Sequence, residues 1–254
     1  MKILAINGSH RGANGYTSFL LKKMEAGAKS ANADFKIIEL STCKLNRCIA
    51  CSKCQTPEHH KQGVFDGKDD ALEIIESIEA CDVLILASPV YVFNISSSLK
   101  ILLERYYSKG SSDKLEVTQS GLMFHDVNEK LKHKQFMALV VSNNMECATT
   151  EASEVFFRNF ARFMDLNYLG TIKRSSGKLA GYGKDKALEA RFPIINEVYS
   201  ELENIGMQLA ITGSVKRSSI NKASKLLIPV PFFRQLMKIP FMKQKINKRA
   251  VNYA

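Results

Sequence analysis

Cys48, Cys51 and Cys54 stand as C-x-x-C-x-x-C, and Cys43 precedes the first of them by five positions. Thiolates so spaced can be turned to one face of an iron-sulfur cluster or can share a zinc ion, and the same residues can equally be a loop of free thiols. Spacing alone leaves the three readings open. A second group, running from Asn7 to Ser18, sets glycines, hydroxyls at Ser9, Thr17 and Ser18, and the Arg11 cation immediately before a helical pattern. Glycine lets the backbone curl, unpaired amides at a helix start favour a phosphate, and no residue of this loop carries a negative charge to repel one. The competing reading is a glycine-rich turn capped by Thr17. A third group, from Ser88 to Asn94, offers Pro89 to fix a turn and the flat faces of Tyr91 and Phe93 to lie beside a planar ring. Aromatics after a strand also fill cores, so this loop is weak evidence by itself. No Ser-His-Asp or paired-carboxylate arrangement stands out. His125, Asp126 and Glu146 read as surface residues.

These groups need a frame that brings them together. Short apolar runs at 2–6, 35–40, 82–87, 136–141 and 167–172 read as strands, and helical periodicity follows at about 15–28, 69–81, 96–107, 150–164 and 184–211. Asp69 and Asp70 suit the amide-rich start of the second helix. Residues 82–87 (DVLILA) are almost uniformly apolar, which places that strand in the middle of a sheet covered on both faces. Strands alternating with helices predict an α/β, doubly wound parallel sheet, whose ligands sit beyond the carboxyl ends of the strands. Each of the three groups follows a predicted strand. Residues 41–68 are polar, rich in cysteine and too long for an ordinary connection, whereas 108–134 carry no clear assignment.

Composition narrows the class. The 254 residues are 45% hydrophobic and 24% charged, which excludes wholesale disorder. No run approaches the roughly 20 apolar residues of a membrane-spanning helix, and the N-terminal segment passes into a polar loop without a signal-peptide core. The expected compartment is the cytoplasm, where thiols stay reduced. Net charge is +11, but ten cations follow Glu203 with no acid among them, so the rest of the chain is nearly neutral. The sequence thus divides into a main domain, 1–212, and a basic extension, 213–254. That extension mixes its cations with Leu226, Leu227, Ile228, Phe232, Phe233, Leu236, Met237, Phe241 and Met242, and Pro229, Pro231 and Pro240 break it into short pieces. It suits either packing on its own domain or a second subunit, or peripheral contact with an anionic membrane. The main domain supplies no basic stripe for nucleic acid.

In order, KILAINGSHRGANGYTSFLL, CIACSKC, Asp69-Asp70 and SPVYVFNISSSLKILLERY resemble the NAD(P)H-dependent FMN reductases of the flavodoxin-like superfamily, and within it the iron-sulfur flavoproteins. The resemblance covers about 1–172 and implies a flavodoxin-like five-stranded parallel sheet in the order 2-1-3-4-5. It also implies FMN, with the phosphate at Ser9, Arg11, Thr17 and Ser18, and the ring system along Pro89, Val90, Tyr91, Phe93 and Asn94. Ser142, Asn143 and Asn144 are implied on the ring's other side. NAD(P)H is the implied electron donor and a quinone, flavin or other small molecule the acceptor. The alternative is a carrier exchanging electrons with a redox protein through a [4Fe-4S] cluster on Cys48, Cys51, Cys54 and Cys43. A homodimer or homotetramer is expected. The chain departs from the family pattern at His10, where proline is common, at Tyr16, where asparagine is common, and in lacking a cysteine shortly after Cys54, where it has His59 and His60.

Overall fold

The computed structural model describes residues 1–227 and 234–251. In chain order the elements are β1 (Lys2–Asn7), α1 (Tyr16–Ser30), β2 (Asp34–Glu39), α2 (Ala71–Ala80), β3 (Val83–Pro89), α3 (Ser97–Arg105), β4 (Ser111–Val117), β5 (Met123–Asp126), β6 (Gln135–Val141), α4 (Glu151–Phe163), β7 (Asn167–Arg174), α5 (Gly177–Ala180), α6 (Lys186–Glu189), α7 (Ile194–Thr212), α8 (Arg217–Ala223) and α9 (Pro240–Val251).

β2, β1, β3, β6 and β7 form one sheet in that order, every pair parallel. With the β4–β5 hairpin set aside, this is the expected 2-1-3-4-5 order. The alternation of strand and helix leaves little choice, because each crossover must return over one face of the sheet. β3 is buried from Val83 to Ser88, which accounts for its lack of apolar-polar alternation. α1 and α7 cover one face, where Leu20, Leu21, Met24, Leu202, Ile205 and Leu209 are wholly enclosed. α2, α3 and α4 cover the other with Ile75, Leu99, Leu102 and Phe157. Each such side chain contributes about 1.5–3 kcal/mol by leaving water.

The α1–α7 contact is close enough to need glycine. A Cβ at Gly27 would stand 1.8 Å from the Glu203 carbonyl oxygen, and one at Gly206 would stand 1.9 Å from that of Met24. Backbone therefore lies on backbone, which draws α7 tightly over α1 and fixes the face that carries the first loop.

One expectation needs correction. The last helix of the domain does not run from 184; α7 begins at Ile194, with Pro193 before it. Proline lacks the amide that a continuous helix would need there. The preceding residues form only the short α6, whose first amides at Ala187 and Leu188 are capped by the Asp185 carboxylate. The unassigned insert is the antiparallel hairpin β4–β5, a separate two-stranded sheet.

Beyond 213 the chain does not leave the domain at once. α8 packs on α7 and β7, burying Ile220 and Ala223 in the core. Arg174, wholly enclosed, donates to the carbonyls of Ala223 (2.9 Å) and Lys225 (2.6 Å) and to the Tyr182 hydroxyl. Farther on, Arg234 forms a two-pronged ion pair with Glu146. The expectations placed on Ile228, Pro229, Pro231, Phe232 and Phe233 lie outside the described residues. No helix among the described residues is long and apolar enough to cross a membrane.

Candidate functional site

The strand order reverses between β1 and β3, and the loops that follow these strands part there. Ser9, Arg11, Gly15, Tyr16 and Thr17 from the first loop, Pro89, Val90 and Tyr91 from the second, and Val141 and Asn143 from the end of β6 line one cleft. Three segments far apart in sequence thus converge, as parallel strands ending at one edge require.

The first loop is held from within. Asn7, fully buried at the end of β1, accepts from the Ser9 amide (3.0 Å) and donates to Glu39 at the end of β2 (2.6 Å). The Ser9 hydroxyl accepts from the Arg11 amide at 3.3 Å. Gly15 precedes α1 with extended backbone, and no side chain caps the helix, so its first-turn amides stay available. A Cβ at Gly15 would stand 2.7 Å from the Ser9 hydroxyl oxygen, so any larger residue would fill the cradle. Uncapped amides, a hydroxyl, a guanidinium and no carboxylate in the lining suit a phosphate ester.

Ser18 sits differently from expectation. Its hydroxyl donates to the Glu39 carboxylate at 2.6 Å and does not line the cleft. The loop itself carries no negative charge, but Glu39 reaches beneath it, holding Asn7 and Ser18. Sequence reasoning missed both Asn7 and Glu39. Their signal was a polar residue closing each of two adjacent apolar strands.

The second loop is a tight turn in which Tyr91 and Asn94 exchange backbone hydrogen bonds of 3.0 and 3.2 Å. Val92 and Phe93 at its corner have φ of 46° and 65°, unfavourable for side-chain-bearing residues and most of all for β-branched Val92. Both point to solvent, Val92 91% exposed and Phe93 69%, so Phe93 lies outside the cleft, as does Asn94. Asn94 instead accepts from the Ile95 amide. The His10 ring lies 4.8 Å from that of Tyr91 and its Nε2 lies 3.3 Å from the Ser97 hydroxyl, so the residue standing where proline is common braces Tyr91.

After β6, Asn143 faces the cleft while Ser142 and Asn144 do not line it. Ser142 is buried with its hydroxyl unpartnered, and its amide donates to the Arg174 carbonyl. The Asn144 side chain accepts from the Glu146 amide. Gly177 lies against Tyr16 and Asn143, where a Cβ would meet them at 3.1 and 3.0 Å.

Cys48, Cys51 and Cys54 line a separate hollow together with Val64, Phe65 and Arg105. Ala50 and Ser52, which flank Cys51, both have positive φ, so the loop bends sharply there. Cys43 does not join them: its thiol donates to the Glu39 carbonyl, and burial, with Asp70 adding to it, raises its pKa. His59 and His60 are exposed and outside the hollow. Among the described residues, no set of three ligand atoms within 4.8 Å includes a cysteine. A single zinc ion would need that tighter convergence; a cubane cluster spreads its thiolates wider.

Asp69 and Asp70 stand at the start of α2, where Asp69 accepts from the Ala71 amide, and they also bind the cysteine loop. Asp69 accepts from the Asn46 amide and from Arg105, and Asp70 accepts from the Lys44 amide.

Residues 1–169 match the family described as NADPH-dependent FMN reductase. An iron-sulfur flavoprotein of Methanocaldococcus jannaschii is 32% identical over 105 residues, 41% of this chain and 51% of that protein. The chain thus spans about half the length of the first curated relatives it matches. A Bacillus subtilis protein named as an NAD(P)H-dependent FMN-containing oxidoreductase is 25% identical over 173 residues, 68% of this chain and 83% of its own. In fold, the chain is similar to an FMN-dependent NADH-azoreductase of Bacillus anthracis solved with FMN. That likeness has a TM-score of 0.55 at 16% identity and covers 83% of this chain and all of the other.

Proposed function

The chain belongs to the NADPH-dependent FMN reductase family, and from that membership and the cleft beside Tyr91 we propose that it holds FMN there, accepts electrons from NAD(P)H in the cytoplasm and passes them to a quinone, flavin or other small acceptor. The observation that carries this reading is the meeting of an uncapped helix start with an aromatic loop in one cleft. Ser9, Arg11, Thr17 and the first amides of α1 take the phosphate. Pro89, Val90 and Tyr91 lie along the ring system, and Asn143 closes the opposite side. Ser18, Phe93, Asn94, Ser142 and Asn144 are given no side-chain contact. Bound flavin supplies the hydride and electron chemistry; the protein orients it and shields it from water.

Purified protein tests this directly. It should carry about one FMN per chain, and NADPH alone should bleach the flavin bands. Colourless protein that does not take up added FMN would overturn the reading.

A second reading is favoured by one observation, the shared hollow of Cys48, Cys51 and Cys54. There a [4Fe-4S] cluster would let the chain trade electrons with a redox protein, but the donor set is one cysteine short. Iron and acid-labile sulfide in equal amounts in anaerobically purified protein would favour it; their absence after reconstitution would leave a thiol loop. We also propose a homo-oligomer, for which exposed Leu115, Val117 and Met123 on the hairpin offer apolar surface. The basic extension, with Lys243, Lys245 and Lys248 on α9, is proposed to touch anionic membrane.

A further inference from the structure

Away from the cleft, a cavity of about 230 Å³ lies between α3, the β4–β5 hairpin and α4. It shares no lining residue with the cleft beside Tyr91. Leu103, Phe124, Phe160 and Met164 give it apolar walls. Exposed Tyr107, Ser112 and His125 stand at its rim, and apolar cavities somewhat smaller than this admit a benzene ring.

Two residues of this lining each carry a polar atom without a hydrogen-bond partner. Tyr106 is 94% enclosed, lines the cavity, and has a hydroxyl without a hydrogen-bond partner. Asp126 also lines it, and its Oδ1 is buried without a hydrogen bond. The nearest cation to that oxygen, the Lys132 ammonium, stands 3.6 Å off and is engaged by Glu116 and Glu129. Only four such orphan side-chain atoms occur among the described residues, and two border this one cavity. Native proteins rarely leave such groups unmet, so each is a position for a hydrogen bond to water or to a ligand.

The chemistry of the pair selects that occupant. Asp126 has Lys61 and Lys132 beside it, and a carboxylate only accepts hydrogen bonds. Burial raises the Tyr106 pKa, so its hydroxyl stays protonated and can donate or accept. A ligand must therefore bring a donor to Asp126, which excludes a bare quinone, and must be uncharged, because the carboxylate would repel an anion. We propose that this cavity binds a small phenolic ring, its ring packed against Phe124 and Phe160 and its hydroxyl meeting Tyr106 and Asp126. The site is independent of the flavin reading. It borders the cysteine hollow, because Tyr107 lines both.

The test uses 4-fluorophenol as the probe and fluorobenzene as its counterpart without a hydroxyl, both followed by fluorine NMR on the full-length protein as purified. The expected result is saturable binding of 4-fluorophenol at millimolar or lower concentration. Tyr106→Phe should weaken it about tenfold, the share of one net hydrogen bond, while changing fluorobenzene binding less than twofold. Asp126→Asn should also weaken 4-fluorophenol binding and serves if the first variant misfolds. Binding that does not saturate, equal binding of the two probes, or indifference of 4-fluorophenol to both substitutions would each overturn the proposal. The last two would mark a cavity that holds only water or any apolar molecule. Flavin content, read in the same samples, reports on the other site.

Discussion

Asp69 Oδ2 lies 2.6 Å from Arg105 Nη1, the carboxylate wholly and the guanidinium almost wholly shut off from water. Two residues 36 positions apart thereby bind the cysteine loop to α3, since Arg105 also donates to the Asn46 carbonyl and lines the cysteine hollow. Burial alone would raise the Asp69 pKa. The hydrogen bonds from the Asn46 amide, Arg105, the Ala71 amide and the Asn46 side chain outweigh it and hold the carboxyl below its ordinary range. A carboxyl whose pKa is lower folded than unfolded lends stability that is complete above the unfolded value, about 3.9. That stability drains as pH falls through the folded value. Urea midpoints should therefore drop between pH 5 and pH 3, and Asp69→Asn should flatten that slope. Arg105→Met, which strands the carboxylate, should cost about 3–5 kcal/mol at neutral pH. A loss under about 1 kcal/mol would mean that water reaches the pair.

Ser9→Asp tests the phosphate end of the cleft. A carboxylate facing a phosphate across about 4 Å at an effective dielectric near 20 costs about 4 kcal/mol, roughly a thousandfold in affinity. FMN fluorescence titration should show that loss while circular dichroism stays unchanged. Unaltered affinity would place the phosphate elsewhere.

The turn beside Tyr91 stores strain that a substitution can release. Val92 at φ 46° should favour asparagine, so Val92→Asn is expected to stabilise the chain by about 1 kcal/mol and raise the melting temperature about 2–4 °C. Val92 is exposed, so no packing is lost. If the strained corner fixes Tyr91 against the flavin, the same variant binds FMN less tightly. A lowered melting temperature would show that the corner is not strained.

Gly206→Ala should separate α1 from α7. The new methyl carbon would stand 1.9 Å from the Met24 carbonyl oxygen, and overpacking on backbone should cost about 3 kcal/mol. Gly27→Ala meets the same interface from the other side. The double variant should then lose less than the two losses added, because one displacement relieves both clashes. Additive urea-denaturation losses would refute the shared displacement.

How much of this was legible in sequence depended on range. The DVLILA run and the loops after three strands were readable, because apolar periodicity and strand ends are local properties. The hairpin leaves no such trace. Leu115, Val117 and Met123 are exposed on it, so no buried face wrote a pattern, although Ser120-Gly121 at its turn was a usable signal. Helical periodicity runs through 184–193, and only Pro193 marks where α7 starts. The Ser18 hydroxyl meets Glu39, 21 residues away, a pairing that no local pattern displays. Nor could spacing show Asp69 turning to Arg105. Such pairings exist only once the sheet has brought distant loops to one edge.

The extension should behave as two parts. Ile220 and Ala223 lie in the core, and Arg174 holds the carbonyls of Ala223 and Lys225. A chain ending at 214 would uncover that core and strand a buried guanidinium without two of its acceptors, at a cost of several kcal/mol. A chain ending at 227 keeps α8 and both carbonyls, so it should melt within about 2 °C of the full chain. It nonetheless loses Arg234, Lys238, Lys243, Lys245, Lys248 and Arg249, each contributing about 1 kcal/mol near anionic headgroups. Co-sedimentation with phosphatidylserine vesicles should therefore separate the two functions. The full chain should pellet at low salt and the chain ending at 227 should stay in solution, with flavin content equal in both. Equal sedimentation would remove the membrane role from the tail, and a chain ending at 214 as stable as the full one would remove α8 from the core.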